Sequence, residues 1–141
     1  MAISADPELL VDTSVAVALV LADHEAHLAT AEAVGGRTLG LAGQAWFETY
    51  SVLTRLPPPA RRRPGEVARL LAHDFPSSRF LDAKDHEALA VRLAGLGIVG
   101  GSVYDALVGA VARHHELPLA TRDVRAMGVY RALEVDVEVL T

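Results

Sequence analysis

The amino-acid sequence predicts an α/β fold in which a central parallel sheet of about five strands lies between layers of helices. Short apolar segments typical of strands alternate with longer helical segments along the whole chain. Strands that are separated by helices pair in parallel, and a parallel sheet needs helices on both faces. The length of 141 residues, without repeats or an interdomain linker, predicts one domain over residues 1–141.

The first half of the chain is divided by clear turn signals. Gly35 and Gly36 separate a helix from the strand that follows it. Three consecutive prolines at 57–59 end the next helix, because proline cannot continue one. The predicted elements are a strand over 8–11, helices over 13–21 and 25–34, a strand over 38–41 and a helix over 42–56.

The second half follows the same alternation. Gly97 closes one helix, and the helix after it is apolar nearly all round, which predicts that it is buried. The final segment alternates polar and apolar residues, as a strand does. The predicted elements are a helix over 65–75, a strand over 79–81, helices over 83–96 and 103–115, a strand over 118–120, a helix over 124–133 and a strand over 134–140.

Composition excludes several classes of protein. The chain has no cysteine, so disulfides, zinc–thiolate sites and cysteine nucleophiles are excluded, which fits a cytoplasmic protein. The longest apolar run, at 15–22, has eight residues, whereas a membrane span needs about 20. Residues 1–8 lack the features of a secretory signal. The net charge of −5 argues against binding nucleic acid by bulk charge, but it is compatible with an enzyme that concentrates acids at a metal site.

Four carboxylates stand where acids need an explanation. Asp12 and Asp123 follow predicted strands, Glu48 lies on an apolar face of its helix, and Asp105 opens the most apolar helix. Each has an ordinary structural interpretation. Asp12 and Asp123 are good helix N-caps, Asp105 forms a capping-box pattern with Ser102, and Glu48 needs only an arginine partner or solvent.

Taken together, the four acids favour a metal site. The carboxyl ends of parallel strands meet at one edge of the sheet, where ligands bind. Four carboxylates at that edge would repel one another, and burial would raise their pKa values. Hard divalent cations such as Mg²⁺ or Mn²⁺ prefer oxygen ligands of this kind. The usual chemistry of such a site is phosphodiester hydrolysis, in which the metal activates water and stabilises charge on the phosphate.

Four segments of the sequence resemble a PIN domain, and within that group the VapC-type toxins of bacterial toxin–antitoxin pairs. These segments are LLVDTSV, QAWFETYSVL, YDALVGAVA and LATRD, and they contain the four acids in order. The resemblance extends from about Leu9 to Val139. It implies a three-layer PIN-like fold and an Mg²⁺- or Mn²⁺-dependent endoribonuclease that acts on RNA. It also implies a homodimer and a cognate VapB-type antitoxin that blocks the site.

The resemblance also implies residue roles. The acids that would ligate the first metal, directly or through water, are Asp12, Glu48 and Asp105. Asp123 would complete the cluster or assist a second metal. Thr13 and Thr121 flank the acids and would position water or phosphate, although Thr121 is equally well explained as an ordinary strand-end residue. The last acid is followed by VRAM, where an aromatic often stands in this family.

Basic and aromatic residues are the candidates for RNA contact. Arg61, Arg62 and Arg63 form the one basic run of the sequence, and a solvated turn is the alternative interpretation. Tyr104 and Tyr130 are candidates for base stacking.

Other functions fit less well. Lys84 lacks the context of a phosphate-binding Walker loop, and Ser14 stands where a dehalogenase-type hydrolase needs a second aspartate. The main alternative is a catalytically inactive PIN-like module that binds RNA or protein. In either case, the aromatic residues Trp46, Phe47 and Tyr50 are interpreted as core, as interface or as both. The sequence does not name the RNA that is cut.

Overall fold

The computed structural model describes residues 7–141, and within that range four strands alternate with seven helices. The strands are β1 (Glu8–Val11), β2 (Thr38–Leu41), β3 (Leu119–Thr121) and β4 (Val137–Val139). The helices are α1 (Thr13–Val20), α2 (His27–Val34), α3 (Gln44–Thr54), α4 (Pro64–Asp74), α5 (Ala83–Gly95), α6 (Ser102–His115) and α7 (Met127–Ala132). A 3₁₀ turn at Val124–Ala126 precedes α7.

The strands form one parallel sheet in the order β2-β1-β3-β4, which confirms the predicted α/β class. Strand β1 is central, and its Leu10 pairs with Gly40 on one side and with Leu119 on the other. The chain moves to one side of β1 for β2 and crosses to the other side for β3. Open α/β sheets bind ligands beyond the carboxyl ends of the strands at such a reversal.

The strand predicted over 79–81 is not formed, so the prediction of five strands was wrong in this detail. The amides of Ser77 and Arg79 donate to carbonyls of β2, at 3.0 and 3.1 Å. Between these two bonds, the last amide of β2 donates to the Ser78 hydroxyl at 2.9 Å instead of to a backbone carbonyl. A side chain thus interrupts the ladder, and the pairing is reduced to an isolated parallel bridge between Arg79 and Ala42.

The other predicted elements are present, with ends that differ by up to three residues. Helix α2 begins late because the chain before it forms a turn, in which the Ala26 amide donates to Nδ1 of His24 at 3.0 Å. Strand β4 begins at Val137 because Glu134 adopts a left-handed φ of 59°, which turns the chain out of α7.

The core lies on both faces of the sheet. Leu9, Leu10 and Val11 of β1 are fully buried, and α6 packs its buried face, including Val108 and Val111, into the same cluster. Burial of this apolar surface fixes the positions of the strand ends and helix starts that carry the acids. Within residues 7–141, no helix is both long enough and apolar enough to cross a membrane.

Candidate active site

The fold places all four predicted acids at the carboxyl edge of the sheet. Asp12 directly follows β1, and Asp123 is the second residue after β3. Helix α6 leads into the start of β3, so its first turn, which contains Asp105, lies at the opposite, carboxyl end of that strand. Helix α3 follows the end of β2, and Glu48 lies in its second turn. Four separate segments therefore contribute one carboxylate each.

The acids line a common cavity of about 70 Å³. Its lining residues are Asp12, Thr13, Ser14, Glu48, Asp105, Val108, Asp123 and Tyr130. One water molecule needs about 10–15 Å³ of such cavity volume, so the cavity has room for a cation together with bound water. Helix capping is a local effect and does not explain why acids from four segments meet at one cavity.

Asp12 is the most buried of the four acids, with 5% of its surface exposed. Its Oδ1 accepts hydrogen bonds from the Ser14 hydroxyl at 2.5 Å and from the Val15 amide at 3.3 Å, so Asp12 does cap α1. Its Oδ2 accepts from the Tyr130 hydroxyl at 3.0 Å. Burial raises the pKa of Asp12, and hydrogen bonds from neighbouring groups, the Ser14 hydroxyl foremost, oppose that rise.

Glu48 is held by a hydroxyl rather than by an arginine. Its Oε2 accepts a hydrogen bond from the Thr13 hydroxyl at 2.8 Å. Thr13 is the first residue of α1, so this bond joins α3 to the junction of β1 and α1. No ion pair involves Glu48 in the part of the chain that the structure describes, which leaves the ion-pair interpretation without support.

Asp123 is stabilised by its own turn. Its Oδ1 accepts from the Arg125 amide at 3.0 Å and from Arg125 Nε at 3.3 Å, so it caps the 3₁₀ turn. The Arg125 side chain is 91% exposed, and a surface ion pair of this kind is worth little. The Asp123 amide donates to the Thr121 hydroxyl at 3.0 Å. Thr121 is fully buried, so its contacts are those of a strand-end residue and not of a residue facing phosphate.

Asp105 has the fewest partners of the four acids. Among residues 7–141, its side chain makes no hydrogen bond or ion pair, although it is partly buried. The capping-box interpretation was wrong, because Ser102 lies inside α6 and the N-cap is Gly101, without a side-chain bond. Burial raises the pKa of Asp105, and the negative charges of the other three acids raise it further.

The donor set suits a hard divalent cation. Mg²⁺ and Mn²⁺ prefer carboxylate oxygens, and like charges around one cavity need a positive partner. As they stand, however, no three acidic or histidine side chains of residues 7–141 converge closely enough to hold an ion between them. Binding would therefore require the more exposed carboxylates to turn inward around Asp12.

The basic run does not line the acid cavity. Arg61 and Arg62 line a separate open groove of about 530 Å³, together with Asp23 and Glu66. Arg61 Nε donates to a backbone carbonyl at the end of the preceding segment, at 2.9 Å. Arg63 precedes α4 as its N-cap. RNA contact by these arginines stays a prediction, and it requires a substrate that extends beyond the cavity.

The two tyrosines proposed for base stacking differ sharply. Tyr104 is 54% exposed in the first turn of α6, so its ring is accessible to solvent, although it does not line the acid cavity. Tyr130 is 1% exposed, and its hydroxyl is bonded to Asp12. Base stacking on Tyr130 is therefore excluded by burial.

Comparison with known proteins agrees with this geometry. The family model described as PIN domain matches residues 9–131, and the matched segment contains all four acids. The chain belongs to the PIN-domain family. Two curated relatives carry VapC names, which places this PIN domain with the VapC type. The chain is 46% identical to Ribonuclease VapC27 of Mycobacterium tuberculosis over 133 residues, which are 94% of this chain and 97% of that protein. It is also 46% identical to Ribonuclease VapC40 of the same species over 132 residues, covering 92% of this chain and 97% of that protein.

Solved structures resemble this PIN domain in fold. The structure of VapBC2 from Rickettsia felis, bound to a promoter DNA fragment, matches with a TM-score of 0.67 at 13% identity. The match covers 95% of this chain and 99% of that chain. FitAcB from Neisseria gonorrhoeae matches with a TM-score of 0.64 at 20% identity, over 92% and 95% of the two chains. At such low identity, these likenesses are evidence of the fold alone.

Two residues at the site were not assigned to it from the sequence. The Ser14 hydroxyl donates to Asp12 and accepts from the Arg122 amide at 2.8 Å, so it joins the ends of β1 and β3. A serine two positions after a strand-end aspartate is a usable signal for this role. Tyr130 lies 118 positions from Asp12 along the chain, and no local pattern connects the two residues.

Proposed function

We propose that this PIN domain is a divalent-metal-dependent endoribonuclease that hydrolyses RNA phosphodiester bonds. We propose further that it acts as the toxin of a VapBC-type toxin–antitoxin pair. The observation that carries the proposal is the cavity at the carboxyl edge of the sheet, which is lined by one carboxylate from each of four segments. The relatives named ribonuclease support the same activity.

The metal would be Mg²⁺ or Mn²⁺, held by Asp12, Glu48 and Asp105, with Asp123 completing the cluster or serving a second ion. When bound, the metal supplies an activated water and stabilises the charge that develops on the phosphate. The residues of the chain provide orientation. Asp12 is fixed by three hydrogen bonds, and Thr13 fixes Glu48. Burial and the charges of the other three acids raise the pKa of Asp105, so a cation would stabilise it in its ionised form.

RNA would approach the cavity near the start of α6, the helix turn that contains both Asp105 and the exposed Tyr104. A nucleobase next to the reacting phosphate would stack on this ring, and stacking of this kind is worth about 1–3 kcal/mol per base. Arg61, Arg62 and Arg63 would contact phosphates farther along the strand, and binding there would weaken with salt. We expect the reaction to take place in the cytoplasm.

Two protein partners are part of the proposal. The first is a VapB-type antitoxin, since structural neighbours are complexes with this partner. The groove beside the arginine run, about 530 Å³ in volume, would receive part of the antitoxin.

The second partner is another copy of this chain. Phe47 and Phe80 are 56% and 48% exposed. Their ring centroids lie 6.3 Å apart in an edge-to-face arrangement, and both rings line an apolar cavity. Paired exposed aromatics of this kind are typical of an interface.

The decisive experiment is cleavage of total bacterial RNA by the purified protein. We expect discrete fragments with Mg²⁺ or Mn²⁺, and none with EDTA or with either Asp12→Asn or Asp105→Asn. The matched control is Asp136→Asn, because Asp136 is exposed and is not among the acids that line the cavity. Mapping the fragment ends would identify the RNA substrate.

The competing function is that of an inactive binding module. One observation favours it, namely that the carboxylates of the described residues do not converge on one point. It predicts no Mn²⁺ binding and no cleavage of any RNA. RNA binding that is identical in the wild type and in Asp12→Asn, without cleavage, would establish the module and refute the nuclease.

A further inference from the structure

Tyr130 occupies an unusual position for a buried tyrosine. The residue is 1% exposed, yet its hydroxyl lines the acid cavity and donates to Oδ2 of Asp12 at 3.0 Å. Gly109 of α6 makes room for the ring, since a Cβ atom at that position would lie 3.0 Å from Tyr130 Cδ1. The ring is therefore fixed between α6 and α7, and its hydroxyl approaches Asp12 from one direction.

The hydrogen bonds around Asp12 leave little of its carboxylate free. An ionised carboxylate has about four lone-pair sites, two on each oxygen. Both sites on Oδ1 are taken, by the Ser14 hydroxyl and the Val15 amide. One site on Oδ2 is taken by the Tyr130 hydroxyl. A phenylalanine would fill the same volume, so the hydroxyl is the part of Tyr130 that packing alone does not explain.

We propose that Tyr130 is a positioning residue that fixes the direction in which Oδ2 of Asp12 meets the divalent cation. The inference rests on the proposed metal-dependent function. Without the Tyr130 hydroxyl, Oδ2 regains a lone pair, and the direction from which it contacts the cation becomes variable. Partners that orient a metal ligand in this way commonly contribute 10- to 100-fold to metal affinity, by order of magnitude.

The first test is Mn²⁺ binding by calorimetry to the metal-free protein and to Tyr130→Phe. We expect the dissociation constant of the variant to rise roughly 10- to 100-fold. The metal-free variant should keep the far-ultraviolet circular dichroism of the wild type. Tyr50→Phe is the matched control. Tyr50 is partly buried on α3, away from the acid cavity, and its hydroxyl makes no hydrogen bond in the described part of the chain. Its affinity for Mn²⁺ should be unchanged.

The second test does not depend on the variant folding. In a crystal structure of the wild type with Mn²⁺, Asp12 should contact the ion through Oδ2 while the bond from Tyr130 persists. Loss of the Tyr130–Asp12 bond in the Mn²⁺ complex, or an unchanged Mn²⁺ affinity in Tyr130→Phe, would overturn this inference and leave the proposed nuclease intact. Absence of Mn²⁺ binding to the wild type would overturn both.

Discussion

Replacement of Asp105 by asparagine should stabilise the metal-free protein, although the same change abolishes its activity. Asp105 is partly buried among three other acids and has no hydrogen-bonding partner within residues 7–141. Burial and the neighbouring charges raise its pKa, which means that the ionised form destabilises the folded state. Asparagine has nearly the same shape and carries no charge, so the repulsion disappears.

The magnitude is limited by exposure. Asp105 lies near three other carboxylates, and solvent screening limits what one partly exposed charge contributes to stability. We expect the free energy of unfolding in EDTA at pH 7.5 to rise by roughly 0.5–1 kcal/mol. For a chain of this size, that corresponds to about 2–5 °C in the unfolding midpoint.

The sign of the pH dependence is a second part of the same prediction. The folded pKa values of Asp105 and Asp12 lie above their unfolded values, so the folded state binds more protons over that window. The metal-free wild type should therefore lose stability as pH rises through the window, which begins near the ordinary aspartate pKa of about 3.9. In Asp105→Asn this loss should be smaller.

Urea unfolding in EDTA and in Mn²⁺ checks the prediction. Asp105→Asn should be more stable than the wild type in EDTA and less stable than the wild type in Mn²⁺. Mn²⁺ stabilises the wild type by mass action and stabilises the variant less. Asp136→Asn serves as the control, with no change expected in either condition. A metal-free Asp105→Asn that is less stable than the wild type would refute the argument, since burial and repulsion of the Asp105 charge could not then be the dominant effects at this position.

Four further predictions concern the site, two glycines and the interface. Thr13→Val removes the donor to Glu48 and should lower the cleavage rate about tenfold, measured under single-turnover conditions, without unfolding the protein. Gly40→Ala would place a Cβ atom 2.2 Å from a backbone oxygen of the neighbouring segment and should cost about 1–3 kcal/mol in urea unfolding. Gly128→Ala, which meets open space, should instead gain up to about 1 kcal/mol. Phe47→Asp should convert a dimer to a monomer in sedimentation velocity, and a wild type that is already monomeric would contradict the proposed homodimer.

The sequence predicted the fold class because hydrophobic periodicity and turn residues are local signals. The strand and helix that flank Asp12 could be recognised from ELLV and from the apolar run after it. The absence of the fifth strand could not be predicted, because it results from one backbone amide of β2 donating to the Ser78 hydroxyl instead of to a backbone carbonyl. This hydrogen bond depends on tertiary contacts between segments nearly forty positions apart in the sequence.

The same distinction applies to the site. The topology of a parallel sheet was enough to predict that Asp12 and Asp123 lie at one edge. The local contacts, such as Asp123 with Arg125, follow from helix-capping patterns, whereas the contact of Tyr130 with Asp12 joins distant parts of the chain and was not predictable. Thr121 illustrates the limit, since its position beside an acid suggested contact with phosphate, but its burial leaves it to bond the Asp123 backbone.

The four acids are not equivalent, and their differences explain why the cavity is formed before the metal ligands converge. Asp12 is buried and fixed, so it defines where a cation would sit. Glu48 and Asp123 are each held by one nearby residue, through Thr13 and Arg125. Four ionised carboxylates brought within ligand distance of one point, without a cation, would repel strongly. A chain with a fixed acid and movable acids avoids that repulsion until a cation arrives. The acid without partners, Asp105, should therefore be the one that moves most when a cation binds.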